Sequence, residues 1–330
     1  MDEYNIVTIG GAVRDIIFYT NEGTIFKNPE KNPLFEKVLG FEAGAKIYIN
    51  DISFLAGGGA FNTAAGFSKL GIKVATITRV GDDQNGKKLI KQMKSRGINT
   101  DFVQVDKKHS TAFSFIPCLK DKATHSIFTY HGAVDYLSLS KQLEDQIMTD
   151  WFYISSLSAP NWPDILKKVL KLKSKINAKI AWNPSNIQIK KQYKLLVKFL
   201  KQIDLFILNE DEAKEFVSKI DNSIQLKIDN ILKNIYEMGP KIVAITCGKK
   251  GAYAFNGKDV FFEKTKDVKV KNTTGAGDSF SSGFLASLFY KPDNIKRALS
   301  WGILNSNSVI KINGAQKGLL SKKEIIKGSI

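Results

Sequence analysis

The stretch Val270–Phe284, "VKNTTGAGDSFSSGF", places the turn Gly275-Ala276-Gly277 and a single carboxylate in front of a Ser/Phe pattern typical of a helix. If the helix begins at about Asp278, the backbone N–H groups of this turn lie at its positive end and can bind an anion. Asp278 would then face that anion, which is unfavourable unless the carboxylate removes a proton from a nucleophile attacking it. Phosphoryl transfer needs this pair of groups. The alternative is that Asp278 only caps the helix.

The composition is that of a globular protein, with 330 residues, 43% hydrophobic and 25% charged. Two cysteines, Cys118 and Cys247, are too few for a disulfide scaffold and too scattered to hold a metal. The start "MDEYNIVTIGG" lacks the basic and apolar regions of a signal peptide, and no apolar run approaches the roughly 18 residues of a membrane span. We therefore expect a cytoplasmic location and no membrane partner.

The formal net charge of +17 raises the question of a nucleic-acid partner. A nucleic-acid-binding module would concentrate its Lys and Arg on one face. Here the lysines are spread through helix-like runs such as "ILKKVLKLKSK", without one basic tract and interleaved aromatics. This distribution favours a solvated basic surface and predicts no nucleic-acid partner.

Short apolar runs alternate with amphipathic runs along the chain, which predicts βα units. "NIVTIGGAV", "KVATITRVG" and "KIVAITCG" are typical of buried strands, whereas "FNTAAGFSKLG" and "IDNILKNIYEM" are typical of helices. This alternation predicts an α/β fold, a mainly parallel sheet with helices on both faces. Ligands bind at the carboxyl ends of the strands of such sheets.

Two segments, about 18–55 and 108–130, interrupt this alternation. Both contain β-like pieces, such as "AKIYINDISFL" and "STAFSFIPCL". Long insertions in a compact domain are usually functional or disordered. We expect the two to pair into a small sheet that covers a site. Phe113, Phe115 and Tyr130 would pack within this sheet, and the alternative is that they contact the face of a base or sugar.

A second glycine-rich segment, "AGGGAFNTAAG", covers residues 56–66. It matches neither a dinucleotide-binding fingerprint nor a P-loop. Gly58 and Gly59 allow close backbone approach to a ligand, and Asn62 offers a donor and an acceptor. The alternative is a simple turn before a helix.

Three further groups are candidates on their own residues. In "LNEDEA", Asn209 and Glu212 share one face of a starting helix, an arrangement suited to hydrated Mg²⁺ and phosphate oxygens. The alternative is that they belong to an ordinary acidic helix N-terminus. "TCGKKGA" (246–252) could wrap a nucleotide or be an ordinary β-turn. Asp15, which ends the first predicted strand, could hold substrate hydroxyls or be merely solvated.

Together these segments resemble the ribokinase-like (PfkB-type) carbohydrate and nucleoside kinase family over nearly the full length. The resemblance rests on "GGGAFNTAAGFSKLG", "VGDDQNG", "NEDE", "TTGAGDSFSSGFL" and "NGAQKGL". The Gly-Gly/Asn motif and the Gly-Ala-Gly-Asp motif are the two signatures of that family. Their joint presence is far more specific than either motif alone.

The resemblance implies a role for each matching residue. Gly275, Ala276 and Gly277 would form an anion hole, with Asp278 as the catalytic base. Asn209 and Glu212 would form a magnesium and phosphate site that acts through water. The sugar would be bound by Asp15, Gly58, Gly59 and Asn62, and the nucleotide by Thr246, Gly248, Gly251 and Asn305.

The resemblance also implies a fold and an activity for residues 1–330 as a single domain. The fold is a doubly wound α/β domain plus a small β-sheet lid, which in many members also forms a homodimer contact. The activity is ATP-dependent transfer of the γ-phosphoryl group to a hydroxyl of a ribose- or fructose-type sugar. A nucleoside kinase of the adenosine type and a non-catalytic sugar or nucleotide sensor stay open as alternatives.

One residue departs from the family pattern. Many members begin the second motif with Asp, where this chain has Asn272. That Asp helps to bind an activating monovalent cation together with carbonyl groups near the positions matching Thr274, Val309 and Gly314. Asn272 keeps an oxygen ligand and loses the charge, so K⁺ activation is left open.

Overall fold

The computed structural model describes residues 3–28, 37–119, 126–184 and 186–329. The strands are β1 (Glu3–Ile9), β2 (Val13–Thr20), β3 (Thr24–Lys27), β4 (Lys37–Gly40), β5 (Asp51–Gly57), β6 (Val74–Gly81), β7 (Val103–Asp106), β8 (Phe113–Leu119), β9 (Phe128–Tyr130), β10 (Met148–Ile154), β11 (Lys179–Trp182), β12 (Leu205–Asn209), β13 (Ile242–Thr246), β14 (Ala252–Phe255) and β15 (Val260–Glu263).

The helices alternate with the strands of the main sheet, as the sequence predicts. They are α1 (Gly59–Lys69), α2 (Gln84–Ser95), α3 (Lys141–Glu144), α4 (Trp162–Ile176), α5 (Asn186–Lys191), α6 (Tyr193–Leu200), α7 (Glu210–Ile220), α8 (Ile228–Glu237), α9 (Ala276–Tyr290), α10 (Ile295–Val309) and α11 (Lys322–Gly328). No helix within the described ranges is both long and apolar enough to cross a lipid bilayer.

Within the described residues, the main sheet has nine strands in the order β15-β14-β13-β12-β11-β10-β1-β6-β7. The strands from β13 to β7 are parallel to their neighbours, and β14 and β15 add an antiparallel edge. The order reverses direction at β1, so the sheet is doubly wound. The predicted fold class is confirmed.

Helices cover both faces of the main sheet. On β10, Phe152 and Ile154 belong to one buried apolar cluster, which includes residues of α4, α6, α7 and α8. Trp151 and Tyr153, which point to the opposite face, belong to a second cluster with α1, α9 and α10. The two cores fix the strand ends, where the candidate site residues lie.

A small sheet, with strands in the order β5-β2-β8-β9, stands beside the main sheet. Its central strand β2 pairs antiparallel with β5 and parallel with β8. Both insertions contribute strands to this sheet, and β5 and β8 each pair with β2 and not with each other. Residues 29–36 and 120–125 of these insertions lie outside the described residues. The central strand begins at Val13, before the predicted insertion.

The predicted first strand is in fact two strands. The apolar run "NIVTIGGAV" continues across Gly10 and Gly11, but β1 ends at Ile9 and β2 belongs to the small sheet. Gly10 has φ +143°, and a Cβ there would lie 2.1 Å from Ser155 Oγ, so the chain turns where only glycine fits. Asp15 therefore lies inside β2; the prediction that it ends the first strand is wrong.

The two faces of the small sheet differ. Asp15 lies opposite Leu55 and Ser114, on the face that carries the candidate site residue. The other face, called the outer face below, carries apolar side chains, of which Phe54 is 54% and Phe128 62% exposed. The exposed large apolar residues of the outer face are Ile52, Phe54, Phe115, Phe128 and Tyr130, and the strand register places Ile16, Phe18 and Phe113 on the same face.

Candidate active site

The Gly-Ala-Gly turn begins helix α9 without a side-chain cap. Gly275, the N-cap residue, has φ 80° and ψ 5°, a left-handed conformation that favours glycine. A Cβ at Gly275 would lie 2.3 Å from Ala315 Cβ, so a side chain has no space either. Asp278 lies in the first turn of this helix, as predicted from the sequence.

The N–H groups of this helix start are not all equivalent. The N–H of Ala276 donates to the Thr273 carbonyl oxygen at 3.1 Å and is used within the turn. Among the described residues, no acceptor is bonded to the N–H groups of Gly275, Gly277 and Asp278. Free donors at the positive end of a helix form an anion site.

Asp278 is held by helix α1. The Nδ2 of Asn62 donates to Asp278 Oδ2 at 2.8 Å, across 216 residues of sequence. Burial raises the pKa of Asp278 to about 6, and the hydrogen bond from Asn62 lowers part of that rise. Gly59 lies beside the other oxygen, because a Cβ there would be 3.6 Å from Asp278 Oδ1.

Asp15 provides a second buried carboxylate. Burial raises its pKa to about 6, the Ser114 hydroxyl lowers it in part, and the negative charge of Asp278 raises it further. The two carboxylates are therefore close enough to interact. Gly57 packs on Asp15, since a Cβ at Gly57 would lie 2.0 Å from Asp15 Oδ2.

Gly58 joins β5 to α1 with φ 92° and ψ 136°. A Cβ at Gly58 would lie 2.4 Å from the Gly11 carbonyl oxygen, so this close backbone contact requires glycine. The contact brings the start of α1, and with it Gly59 and Asn62, next to Asp15. All the predicted sugar-site residues are thus gathered around Asp278.

On the other side of Asp278 lies a pocket of about 200 Å³. At the carboxyl ends of β12 and β13, where Asn209 and Thr246 stand in register, it collects both predicted magnesium and phosphate residues, Asn209 and Glu212. Of the four predicted nucleotide residues, it contains Thr246. Asn183 and Ser281 also line it, although sequence patterns gave no indication of them. The lining includes Asn183, Asn209, Glu212, Thr246, Thr273, Gly275, Ala276, Gly277, Asp278 and Ser281.

Asn209 and Glu212 form a capping box at the start of α7. Asn209 Oδ1 accepts from the Glu212 N–H at 2.8 Å, and Glu212 Oε2 accepts from the Asn209 N–H at 2.9 Å. These two residues therefore cap the helix, a role that the sequence did not predict for them. Burial also raises the pKa of Glu212, and its other carboxylate oxygen is not used by this motif.

The described residues contain no cluster of three or more His, Cys, Asp or Glu that could hold a metal. Mg²⁺ keeps several waters and binds through one or two carboxylates plus substrate phosphates. The Glu212 carboxylate, which lines the pocket, fits this kind of site.

The loop after β13 is a tight turn. Gly248 has φ 53° and Gly251 has φ 125°, and the Cys247 N–H donates to the Gly251 carbonyl oxygen at 2.8 Å. A Cβ at Gly251 would lie 2.1 Å from the Glu263 carbonyl oxygen, whereas one at Gly248 would meet no atom within 4 Å. Gly251 therefore shapes the turn, and Gly248 faces open space.

Asn305 does not lie where the sequence prediction put it. It is fully buried, its Nδ2 donates to the Ser279 carbonyl oxygen at 2.8 Å, and its Oδ1 accepts from the Leu320 N–H at 3.0 Å. Both ends of the amide bind the protein. The geometry gives Asn305 a role in holding α10 against α9 in place of the predicted nucleotide contact.

Asn272 uses its side-chain oxygen locally. Its Oδ1 accepts from the Thr274 N–H at 2.8 Å, which closes an Asx turn before the Gly-Ala-Gly turn. The Val309 carbonyl oxygen accepts from the Ile312 N–H at 3.1 Å. Two of the oxygens expected to bind a monovalent cation therefore already have protein donors.

Sequence reasoning missed Gln316. Its Nε2 donates to Asn62 Oδ1 at 2.9 Å, across 254 residues of sequence. The residue lies in the segment "NGAQKGL", which contributed to the family resemblance, but no local pattern indicates a contact with α1.

Comparisons with known proteins agree with this geometry. The sequence profile of the pfkB family carbohydrate kinases matches residues 27–316. The chain is 28% identical to the 5-dehydro-2-deoxygluconokinase of Bacillus licheniformis, over 98% of this chain and 95% of that protein.

Two solved structures share the fold. The Arabidopsis thaliana ribokinase complexed with ribose and ATP has a TM-score of 0.81 at 20% identity and 99% coverage of both chains. The adenosine kinase from Sinorhizobium meliloti has a TM-score of 0.80 at 20% identity and 100% coverage of both chains. Because the family profile spans most of the sequence, the chain belongs to the pfkB family of carbohydrate kinases.

Proposed function

We propose that this chain transfers the γ-phosphoryl group of ATP to a hydroxyl of a sugar, with Asp278 as the general base. The observation that carries the proposal is the position of Asp278 at an uncapped helix start. The carboxylate accepts from Asn62 at 2.8 Å and belongs to the same helix turn as the free N–H groups.

Asp15, the second N–H of the Asn62 amide and the backbone at Gly58 and Gly59 would hold the acceptor on one side of Asp278. A base with a pKa of about 6 is mostly ionised near neutral pH and is still able to take a proton. The carboxylate would accept the proton of the acceptor hydroxyl as the oxygen attacks phosphorus. The free N–H groups would stabilise the charge that develops on the phosphoryl oxygens.

The pocket beside Asp278 would receive the phosphates of ATP. The loop at Thr246, Gly248 and Gly251 would border the nucleotide, and Asn209 would orient the phosphates. Glu212 would bind Mg²⁺, through water and with its free carboxylate oxygen. The ion would neutralise charge on the phosphoryl group when bound.

A panel of acceptors tests this proposal. ADP release is measured with ribose, fructose, other ketoses, 2-keto-3-deoxygluconate and nucleosides, because the sugar kinases and nucleoside kinases of this fold differ in acceptor. We expect a sugar with a free hydroxymethyl group to give the highest kcat/KM. A nucleoside that exceeds every sugar would assign the chain to the adenosine type instead.

Asp278→Asn is the control for chemistry. The amide keeps the shape of the carboxylate and cannot accept a proton, so we expect kcat to fall by about 10² or more while ATP still binds. Turnover similar to that of the unaltered chain would remove Asp278 as the base. If the unaltered chain released no ADP with any acceptor but still bound the nucleotide, the result would favour a non-catalytic sensor.

We also propose that the small sheet is a lid over this site and that its outer face contacts a second copy of the chain. The support is the apolar outer face, which includes Phe54 and Phe128. Phe54→Ser with Phe128→Ser should convert a dimer to a monomer in light scattering. Phe262→Ser, a 45% exposed phenylalanine on edge strand β15, is the matched control. A monomeric unaltered chain would refute the dimer.

A cytoplasmic location and the absence of a nucleic-acid partner complete the proposal. They rest on the sequence composition and on the dispersed lysines. Salt-dependent retention of DNA in a filter-binding experiment would contradict the absence of a nucleic-acid partner.

A further inference from the structure

The segment Gly314-Ala315-Gln316 touches three parts of the site in three consecutive residues. Gly314 faces the small sheet, because a Cβ there would lie 3.2 Å from Leu55 Cδ1. Ala315 packs against Gly275, where a Cβ would lie 2.3 Å from Ala315 Cβ. Gln316 donates to Asn62 Oδ1 at 2.9 Å. This segment is therefore placed to influence Asn62 directly.

The hydrogen bonds fix which way the Asn62 amide points. An ionised carboxylate only accepts hydrogen bonds, so the amide nitrogen of Asn62 must face Asp278. The amide oxygen then points away and needs a donor, since Asn62 is only 4% exposed and water has little access. Gln316 supplies that donor.

We propose that Gln316 is a positioning residue, which holds the Asn62 amide in the one orientation that keeps an N–H donor on the Asp278 carboxylate. Gln316 acts through Asn62 and does not touch the reacting atoms. The proposal deepens the proposed function, on which it rests for the role of Asp278 as base.

The orientation has a chemical consequence for the two carboxylate oxygens. Oδ2 of Asp278 is occupied by Asn62, whereas Oδ1 lies beside Gly59, on the side where the acceptor would bind. The proton from the acceptor would therefore be directed to Oδ1. If the Asn62 amide turned over, two oxygens would face each other and the ionised form of Asp278 would lose its donor.

The charged and titratable groups that face Asp278 come from three elements. They are Asp15 on β2, Tyr153 on β10 and, across the pocket, Glu212 on α7. None of these groups donates a hydrogen bond to Asp278 among the described contacts, so Asn62 is the group whose orientation stabilises the ionised carboxylate.

Two substitutions of Gln316 separate polarity from shape. Gln316→Glu keeps the size and replaces the donor by an acceptor, which would attract the Asn62 N–H₂ group and pull it from Asp278. Gln316→Met keeps the length and removes the polar end. Lys317→Gln is the matched control, because it changes the net charge by the same unit as Gln316→Glu at the next, exposed residue.

The pKa of Asp278 is read directly in the full-length chain, without any substrate. The ¹³C carboxyl resonances of labelled aspartates are titrated by NMR, and Asp278→Asn identifies the Asp278 signal. We expect the midpoint to move upward by about one pH unit in Gln316→Met and by more in Gln316→Glu, the scale of losing a hydrogen bond to a charged group. Lys317→Gln should leave it unchanged.

Kinetics provide the second reading, with the best acceptor from the panel. In Gln316→Met the acidic limb of kcat/KM should move upward with the NMR midpoint, and kcat should fall about fivefold at pH 6 and recover at pH 8. A loss of activity equal at both pH values, with an unmoved midpoint, would overturn the proposal and make Gln316 a packing residue.

The design distinguishes this proposal from the proposed function. An Asp278→Asn chain that stays fully active would refute Asp278 as base, while a shifted midpoint in the Gln316 variants would still support the positioning role. An inactive Asp278→Asn chain with unshifted midpoints would refute only the positioning role. If Gln316→Glu does not fold, the midpoint of Gln316→Met decides, because it does not depend on the amount of folded protein.

Discussion

Two helix starts border the same pocket and are built in opposite ways. Helix α7 is capped by its own side chains, through the reciprocal bonds between Asn209 and Glu212. Helix α9 begins at Gly275 with no side-chain cap, and N–H groups in its first turn have no partner among the described residues. The start of α7 is capped by its own side chains, whereas N–H donors at the start of α9 stay unbonded within the part of the chain that the structure describes.

The difference separates two uses of a helix N-terminus. A capped end loses its attraction for anions but holds a carboxylate in a fixed position. An uncapped end sacrifices stability and gains an anion site. We infer that α9 receives the transferred phosphoryl group and that α7 presents Glu212 to the metal, and each of the following predictions tests one half of this contrast.

The largest effect is expected at Gly275. Gly275→Ala should lower kcat by about 10²–10³, the scale of losing N–H donors to a developing oxyanion, because the new Cβ collides with Ala315 and deforms the turn. The same variant should lower the free energy of unfolding by about 1–3 kcal/mol, since alanine is strained in the left-handed backbone conformation that glycine adopts here. Steady-state kinetics and urea denaturation measure the two quantities.

Gly277→Ala is the matched control for stability. A Cβ at Gly277 would meet no atom within 4 Å, so its free energy of unfolding should stay near that of the unaltered chain. Equal destabilisation by both alanines would show that the left-handed turn is not what holds this helix start.

Asp278 should reduce stability in return for its chemistry. Its pKa is about 6 in the folded chain, against an ordinary value of 3.8. Because the folded-state value is the higher, the stability that protonation contributes is complete below pH 3.8 and is lost as the pH rises through 6. Asp278→Asn should therefore raise the free energy of unfolding at pH 8 by up to about 3 kcal/mol.

Denaturation at pH 8 and pH 4 measures this gain, which should shrink at the lower pH. Asp259→Asn, at an exposed aspartate, is the control and should show no such gain. If the Asp278→Asn chain were less stable at pH 8, the favourable contacts of the carboxylate would outweigh the free-energy cost of burying its charge.

The cap of α7 should matter for stability before it matters for catalysis. Asn209→Ala removes the side chain that accepts from the Glu212 N–H, and we expect a loss of about 1 kcal/mol. Thermal or chemical unfolding measures this loss.

Glu212→Gln keeps an acceptor for the Asn209 N–H but loses the charge, so it should retain stability and raise the half-saturating Mg²⁺ concentration about tenfold. An unchanged Mg²⁺ requirement would leave Glu212 as a cap only.

The smallest effect concerns monovalent cations. Because the Asn272 oxygen accepts from the Thr274 N–H and carries no charge, K⁺ and Na⁺ should support rates within about twofold of each other. Asn272→Asp restores a charge and should increase the K⁺ effect. Strong K⁺ activation of the unaltered chain would show that the Asx turn opens to admit the ion.

The sequence predicts those parts of this protein that local patterns control. Buried strands such as β6 and β13 and amphipathic helices such as α8 follow from periodicity, and the glycine turn at α9 follows from the conformations open to glycine. The break between β1 and β2 was missed, because the residues around Gly10 and Gly11 are apolar on both sides.

Contacts across long sequence distances were not predictable. Asn305 carries donors and acceptors that suit a nucleotide, yet its burial is decided by the packing of α10 on α9. Gln316 reaches Asn62 only after the main sheet has placed α1 beside α9. A single sequence states which side chains can bond, and the tertiary fold decides which of them meet.

The long-range bonds around Asn62 set the order in which a newly made chain can become active. Asn62 meets Asp278 across 216 residues and Gln316 across 254 residues, so the proton acceptor and its partners are united only when nearly the whole sequence has left the ribosome. Contacts of this separation form late in folding. Incomplete or misassembled chains would therefore consume no ATP, even where their strands and helices are already in place.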